Sequence, residues 1–112
     1  MTDILLVYIT CDSVEQAKTI GKHLMKNRLC ACVNIFPDMQ PMFFWPPKTN
    51  QIDESKEVVL IAKTTEGKYQ ELEDEVHKIH TYDVPCVIAI PTQHISKKYY
   101  NWLIGELEFE EK

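Results

Sequence analysis

Glycine and arginine are both scarce in this 112-residue chain. The three glycines are dispersed at positions 21, 67 and 105, and Arg28 is the one arginine. Sites for phosphate groups are usually built from a glycine-rich loop, whose backbone N–H groups face the anion, and a positively charged side chain. The chain lacks those parts, so we exclude a small phosphate-ester hydrolase.

Positive charge and long apolar runs are scarce as well. Twelve Lys and Arg residues stand against 17 Asp and Glu, a formal net charge of −5 that disfavours binding to nucleic acid or anionic lipid. The first apolar run, Ile4 to Ile9, is too short for a signal-peptide core or a membrane span. We therefore expect a cytoplasmic protein that binds neither nucleic acid nor a membrane.

The chain has no Cys-x-x-Cys motif. Its four cysteines, at positions 11, 30, 32 and 86, lie in or beside apolar segments, which is typical of buried thiols rather than of a disulfide framework. A heavy-metal chaperone needs two thiolates close together after its first strand. Three residues after Cys11, where the second cysteine of the motif would stand, the chain has Val14. This function is excluded too.

Hydrophobic patterns predict four main strands and three helices. The predicted strands are Ile4 to Ile9, Cys30 to Phe36 with an extension to Trp45, Val58 to Ala62, and Cys86 to Ile90. The three helices are predicted to begin after Ser13, Thr65 and Ser96. The spacing of Ser13 to Gln16 fits a capping box, and Thr65 is the expected cap of the second helix. The polar stretch from Pro46 to Glu57 is predicted to be a hairpin tip or protruding loop.

This order of elements predicts an α+β fold, a ferredoxin-like βαββαβ sandwich with a short C-terminal helix, in one domain over residues 1–112. Right-handed crossovers place the first two helices on the same face of the sheet. The other face of the sheet would then be bare, although the strands are apolar on both sides. The aromatic run Phe43-Phe44-Trp45 would be exposed as well. Exposed apolar area of this kind usually marks an interface, so we expect a homo-oligomer.

The junction between the second helix and the last strand gathers His80, Tyr82 and Asp83. His77 and His80 are three residues apart on a helix face and could share a metal ion with Cys86 or Cys32. The alternatives are that His77 is a solvated helix residue and that His80 caps the last turn. A triad of Cys86, His80 and Asp83 is a weaker hypothesis, because residues so close in sequence rarely reach catalytic geometry.

Several short motifs occur together in a specific order between Leu5 and Leu107. They are Cys32-Val33-Asn34-Ile35, the aromatic run through Trp45, Glu57 with Lys63-Thr64, His80-Thr81-Tyr82-Asp83-Val84-Pro85, and Tyr99 with Trp102. Together they resemble the CutA family of divalent-cation tolerance proteins. The resemblance implies a ferredoxin-like subunit in a homotrimer without enzymatic activity. It also implies tolerance to, and in some members binding of, copper and other divalent ions, and a sensor or adaptor role by likeness to nitrogen-regulatory signalling trimers.

The chain departs from the family pattern at several positions. His80 and Tyr82 match the His-Pro-Tyr motif of the family, with Thr81 in place of the proline. A copper-liganding cysteine of bacterial members falls at Ile9, and an additional histidine falls at Ile79. Copper binding through that particular arrangement is therefore not expected here.

From these residues we expect a cleft at the subunit boundary that binds copper or another divalent metal ion, or a small polar ligand, with no cofactor required for folding. The residues expected at the cleft lie at strand ends or junctions; they are Trp45, Glu57, Lys63, Tyr82 and Trp102, with His80 and Cys86 as metal ligands. In the competing, purely structural interpretation, Tyr82 and Trp102 pack the terminal helix against a neighbouring subunit and Lys63 pairs with Glu57 or another carboxylate.

Overall fold

Residues 1–110, which the computed structural model describes, form six strands and three helices. They are β1 (Ile4–Cys11), α1 (Val14–Lys26), β2 (Cys32–Met39), β3 (Met42–Phe44), β4 (Ile52–Glu54), β5 (Glu57–Thr65), α2 (Tyr69–Ile79), β6 (Val87–Pro91) and α3 (Lys97–Leu107). None of these helices is long and apolar enough to cross a membrane.

Four strands form one antiparallel sheet in the order β2-β5-β1-β6. At the centre of the sheet, Val7 of β1 lies between Ala62 of β5 and Ala89 of β6. The helix α1 connects β1 to β2 across β5, and α2 connects β5 to β6 across β1. These two crossovers define the ferredoxin-like topology. The predicted fold class is confirmed.

The segment that connects β2 to β5 differs from the prediction. Residues 52–54 do not belong to an irregular loop, because they form β4 and pair with β3, with Phe43 opposite Asp53. The tip of this two-stranded ribbon is therefore confined to residues 45–51. The ribbon is separate from the main sheet. Asp38, with a φ angle of 64°, lies at the register shift near the end of β2, just before the ribbon begins.

The hydrophobic core lies on one face of the main sheet. Side chains alternate along a strand, so Leu5, Val7, Ile9 and Cys11 of β1 all face α1 and α2 and are buried. The helices contribute their own buried stripes, Ala17, Ile20, Gly21 and Leu24 from α1, and Leu72 and Val76 from α2. The core is continuous from helices to sheet.

The opposite face of the sheet is apolar and mostly open. The register places Tyr8 of β1 between Ile61 of β5 and Ile88 of β6 on this face. Ile88 is 55% exposed and Phe36 of β2 is 51% exposed. α3 covers one end of the face, where Leu103 and Leu107 pack on Ile4, and the remainder stays uncovered within one subunit. The expected exposed apolar face is present.

The two ends of α1 are fixed by different contacts. At the start, the backbone N–H of Gln16 donates to Ser13 Oγ at 3.0 Å, while the Gln16 side chain accepts from the backbone N–H of Asp12 at 2.7 Å. The predicted Ser13 cap is confirmed. The predicted start of α3 at Ser96 is also confirmed, whereas the predicted Thr65 cap is wrong, because its hydroxyl makes no capping hydrogen bond and a 3₁₀ turn, Glu66–Lys68, precedes α2.

The end of α1 is held by Arg28 in a left-handed conformation with a φ angle of 54°. The N–H of Arg28 donates to Met25 and the N–H of Leu29 donates to Leu24, the pattern of a Schellman motif. The Arg28 guanidinium then donates to the Glu106 carbonyl at 2.9 Å and to its carboxylate at 3.0 Å, and it lies 4.9 Å from the Phe109 ring centroid. Arg28 thus connects the end of α1 to the end of α3.

Candidate functional site

A cavity of about 760 Å³ lies between the β3–β4 ribbon and the junction that follows α2. Four of the seven predicted site residues line it, namely Trp45, Glu57, Tyr82 and Cys86. Small-molecule sites typically combine apolar and aromatic walls with a few polar groups. Five aromatic side chains provide such walls here; they are Tyr8, Phe43, Phe44, Trp45 and Tyr82. We call this cavity the ribbon cleft.

Glu57 and Tyr82 form the polar contact of the ribbon cleft. The Tyr82 hydroxyl donates to Glu57 Oε1 at 3.1 Å, and Ser55 Oγ donates to Glu57 Oε2 at 2.7 Å. Burial, and then the nearby Glu57 carboxylate, raise the pKa of Tyr82 well above its ordinary value. The phenol is therefore a neutral hydrogen-bond donor, and it fixes the carboxylate at the start of β5.

His80 is nearly buried, and both of its ring nitrogens have backbone partners. Nε2 lies 2.8 Å from the Thr10 carbonyl oxygen, and the backbone N–H of Tyr82 donates to Nδ1 at 3.1 Å. A carbonyl can only accept and a backbone N–H can only donate, so Nε2 is the donor and Nδ1 the acceptor in this arrangement. The ring centroids of His80 and Tyr82 are 4.5 Å apart. His80 thus connects the junction to β1 and lies beside the ring of Tyr82.

The predicted role of His80 as a cap is only partly correct. Its backbone N–H donates to Val76 and ends α2, but the carbonyl that accepts from its ring belongs to β1 rather than to the last helical turn. His77 is exposed on α2, as its solvated interpretation predicts. A metal ion at His80 would have to replace one of the two backbone partners.

The thiols near the ribbon cleft hold their protons. Burial, followed by the Glu57 charge, raises the pKa of Cys86; burial, Asp12 and Glu57 raise that of Cys11 to about 12. A metal ion is bound by the thiolate rather than by the thiol. Among residues 1–110, no group of three or more His, Cys, Asp and Glu side chains could hold a metal ion.

Lys63 and Trp102 do not join the ribbon cleft of the same subunit. Lys63 Nζ donates to the Tyr99 hydroxyl at 3.1 Å and lies 5.1 Å from the centroid of that ring. The Tyr99 and Trp102 rings are 5.6 Å apart. Since Glu57 and Lys63 are six residues apart on β5, their Cα atoms are separated by about 20 Å. The predicted Lys63–Glu57 pair is therefore not formed within one chain.

This second group of side chains is called the α3 cluster and consists of Lys63, Tyr99 and Trp102. Burial lowers the pKa of Lys63, but the hydrogen bond to Tyr99 and the nearby Tyr99 and Cys32 groups together outweigh burial, so the net direction is upward. Trp102 is 47% exposed. The α3 cluster therefore presents an ammonium group and an open indole face at the surface of the subunit.

Some residues of the ribbon cleft were not found by sequence reasoning. Tyr8 is hidden in the first apolar run, and only the alternation of β1 assigns it to the open face. Asp53 reaches the cleft because β4 pairs with β3, which the polar sequence of that segment did not indicate. Gln16, used at sequence level only as a cap residue, also donates to Thr81 at 2.7 Å and so ties α1 to the junction.

Comparison with known proteins agrees with this architecture. The family model of the CutA1 divalent ion tolerance protein matches residues 5–106. The divalent-cation tolerance protein CutA of Archaeoglobus fulgidus is 40% identical over 102 residues, which cover 91% of this chain and 96% of the relative. The corresponding protein of Pyrococcus horikoshii is 37% identical over 103 residues, 92% of this chain and 97% of the relative.

Solved structures give the same result. The crystal structure of the divalent ion tolerance protein CutA1 from Ehrlichia chaffeensis has a TM-score of 0.88 at 30% identity and covers 97% of this chain and 99% of that one. The periplasmic divalent cation tolerance protein CutA of Archaeoglobus fulgidus has a TM-score of 0.88 at 37% identity and covers 94% and 99%. Fold, length and sequence agree, and the chain belongs to the CutA family of divalent-ion tolerance proteins.

Proposed function

We propose that the protein is a non-enzymatic homotrimer that binds a small polar ligand in the ribbon cleft and acts as a sensor or adaptor. The observation that carries this proposal is that Trp45, Glu57, Tyr82 and Cys86, from three separate segments, line one cavity. The Tyr82–Glu57 contact supplies fixed acceptor oxygens, and aromatic rings supply the walls. Such a combination suits binding and orientation of a ligand.

The trimer in this proposal rests on two surfaces of the subunit. The open face of the sheet presents Phe36 and Ile88 to water, which is unfavourable unless a partner covers them. The α3 cluster, with Lys63 and Trp102, lies away from the ribbon cleft of its own chain. These two residues contribute to a cleft at the subunit boundary if a neighbouring subunit supplies them.

A divalent metal ion is the second candidate ligand, because the relatives are named divalent-cation tolerance proteins. Its proposed ligands are His80 and Cys86. Binding would require His80 to exchange a backbone partner for the metal and Cys86 to lose its proton. We expect copper and zinc titrations to separate this candidate from the first, because a metal affinity unchanged in His80→Ala and Cys86→Ser removes both residues from the site.

A thermal-shift screen with amines, carboxylates, sugars and nucleotides tests the ligand part of the proposal. We expect at least one compound to stabilise the wild-type protein but not Trp45→Ala, because Trp45 lines the ribbon cleft. Phe109→Ala is the matched control, since Phe109 is an aromatic residue of similar exposure outside the cleft. A screen without any stabilising compound, or stabilisation that survives in Trp45→Ala, would contradict the proposal.

A further inference from the structure

The ribbon cleft has a pronounced negative charge. Three carboxylates line it, Asp53 from β4, Glu57 from β5 and Asp83 from the junction, and none of the described residues that line it is Lys, Arg or His. The two oxygens of Glu57 accept from neutral hydroxyl groups, Tyr82 and Ser55, and within residues 1–110 this carboxylate has no ion pair. The three carboxylates outnumber the single Lys63 ammonium group that a neighbouring subunit would add, so the cleft favours a positively charged ligand over a neutral or negative one.

The carboxylates do not converge on a single point. They come from three different segments around the cavity, and among residues 1–110 no three acidic, histidine or cysteine side chains are grouped as a metal ion requires. A small divalent ion needs several oxygen ligands at distances of about 2 to 2.6 Å. A larger cation, with its charge on a bulky group, can approach dispersed carboxylates without such convergence.

The aromatic walls point to the same class of ligand. Trp45, Phe43 and Tyr8 line the cavity together with the carboxylates. The face of an aromatic ring attracts an ammonium or guanidinium group, most strongly for tryptophan, and this attraction increases when water is excluded. A metal ion, which keeps its hydration water, gains little from such rings, whereas an alkylammonium group gains from both rings and carboxylates.

We propose that the ribbon cleft binds an organic cation, an amine or ammonium compound with an apolar substituent. The apolar part packs on the ring of Trp45 and its neighbours, and the charged part faces Glu57 and the two other carboxylates. This inference rests on the proposed function, because it names the chemical class of the ligand for the same site.

Three benzene derivatives of similar size and different charge test the inference by isothermal titration calorimetry at neutral pH on the intact protein. Benzylamine is cationic, benzyl alcohol is neutral and benzoate is anionic. We expect benzylamine to bind about tenfold more tightly than benzyl alcohol and benzoate to bind most weakly. Equal affinities, or a preference for benzoate, would overturn the cation assignment but leave ligand binding in the cleft intact. Absence of binding by all three also overturns the assignment, while the proposed function is then decided by its own screen.

Variants locate the charge preference. Glu57→Gln removes one cleft carboxylate with almost no change of shape, and we expect the ratio of benzylamine to benzyl alcohol affinity to fall severalfold. Glu71→Gln is the matched control, because Glu71 is an exposed acid of α2 and changes the net charge equally. Trp45→Leu is expected to lower the affinity for benzylamine severalfold. A ratio that changes equally in both glutamine variants, or not at all in Glu57→Gln, contradicts the inference.

Discussion

Replacing Ile88 by lysine is expected to abolish assembly of the protein. Ile88 lies on β6, opposite Tyr8 of β1, on the face of the sheet that the helices α1 and α2 leave open. Its side chain is 55% exposed in the single subunit. Phe36, on the other edge of the same face, is 51% exposed. If three subunits cover these faces, a charged side chain at Ile88 enters the contact.

The expected magnitude is large because the change is repeated in each subunit. Full burial of an isoleucine side chain contributes about 1.5 to 3 kcal/mol. With 55% of Ile88 still exposed, completing its burial contributes about 1 kcal/mol per subunit. Desolvation of an unpaired ammonium group costs several kcal/mol more. Over three subunits the loss is roughly 10 kcal/mol or more, enough to shift assembly to monomers at micromolar concentration.

Size-exclusion chromatography with light scattering measures this effect. We expect wild-type protein at three times the subunit mass of 13.1 kDa, and Ile88→Lys at or near a single mass. Met25→Lys is the control, because Met25 is an exposed apolar residue of α1, on the helical side of the molecule. A trimer that persists in Ile88→Lys, or wild-type protein that remains a stable monomer on dilution, would refute the reasoning.

Three further predictions concern the subunit. Thr64 is fully buried and its hydroxyl has no partner among the described residues, so Thr64→Val should raise the free energy of unfolding by about 1 kcal/mol or more. Thr92→Val should lower it by a similar amount, since that hydroxyl donates to a β1 carbonyl at 2.8 Å; equal losses in denaturant titrations would contradict this. Gly105→Ala should stabilise α3 by about 0.5 to 1 kcal/mol, because no described atom beyond the local helix backbone lies within 4 Å of the added methyl group, whereas Gly21→Ala should gain less because a side-chain methyl lies at 3.2 Å. The pKa of Tyr82 is raised in the folded state, so its contribution is complete below its unfolded pKa of about 10 and is lost at higher pH; the stability difference between wild type and Tyr82→Phe should shrink above about pH 10, and a constant difference would contradict this.

The main sheet and its helices could be predicted because their signals are local. The run from Ile4 to Ile9 and the spacing of Ser13 to Gln16 both indicated elements that the structure contains. β4 could not be predicted in the same way, since Asp53 and Glu54 have low strand propensity. Its pairing with β3 overrides that propensity and depends on the path of the whole ribbon.

The site could be predicted only in part for a similar reason. Sequence motifs indicated both Glu57 and Lys63, but the rise of a strand places them at opposite ends of β5. The partners of His80 were also beyond reach, because its ring bonds to Thr10, 70 residues earlier in the chain. Contacts at that separation are set by tertiary packing, and no local pattern encodes them.

Arg28 gives the chain an example of epistasis. A glycine at this position would relieve the left-handed backbone, with a φ angle of 54°, but it would also delete the guanidinium bonds to Glu106 and the contact with Phe109. The same substitution is therefore most harmful while both side chains are present, and it costs less once they have been replaced. The effect of a change at Arg28 consequently depends on which residues stand at the far end of the chain.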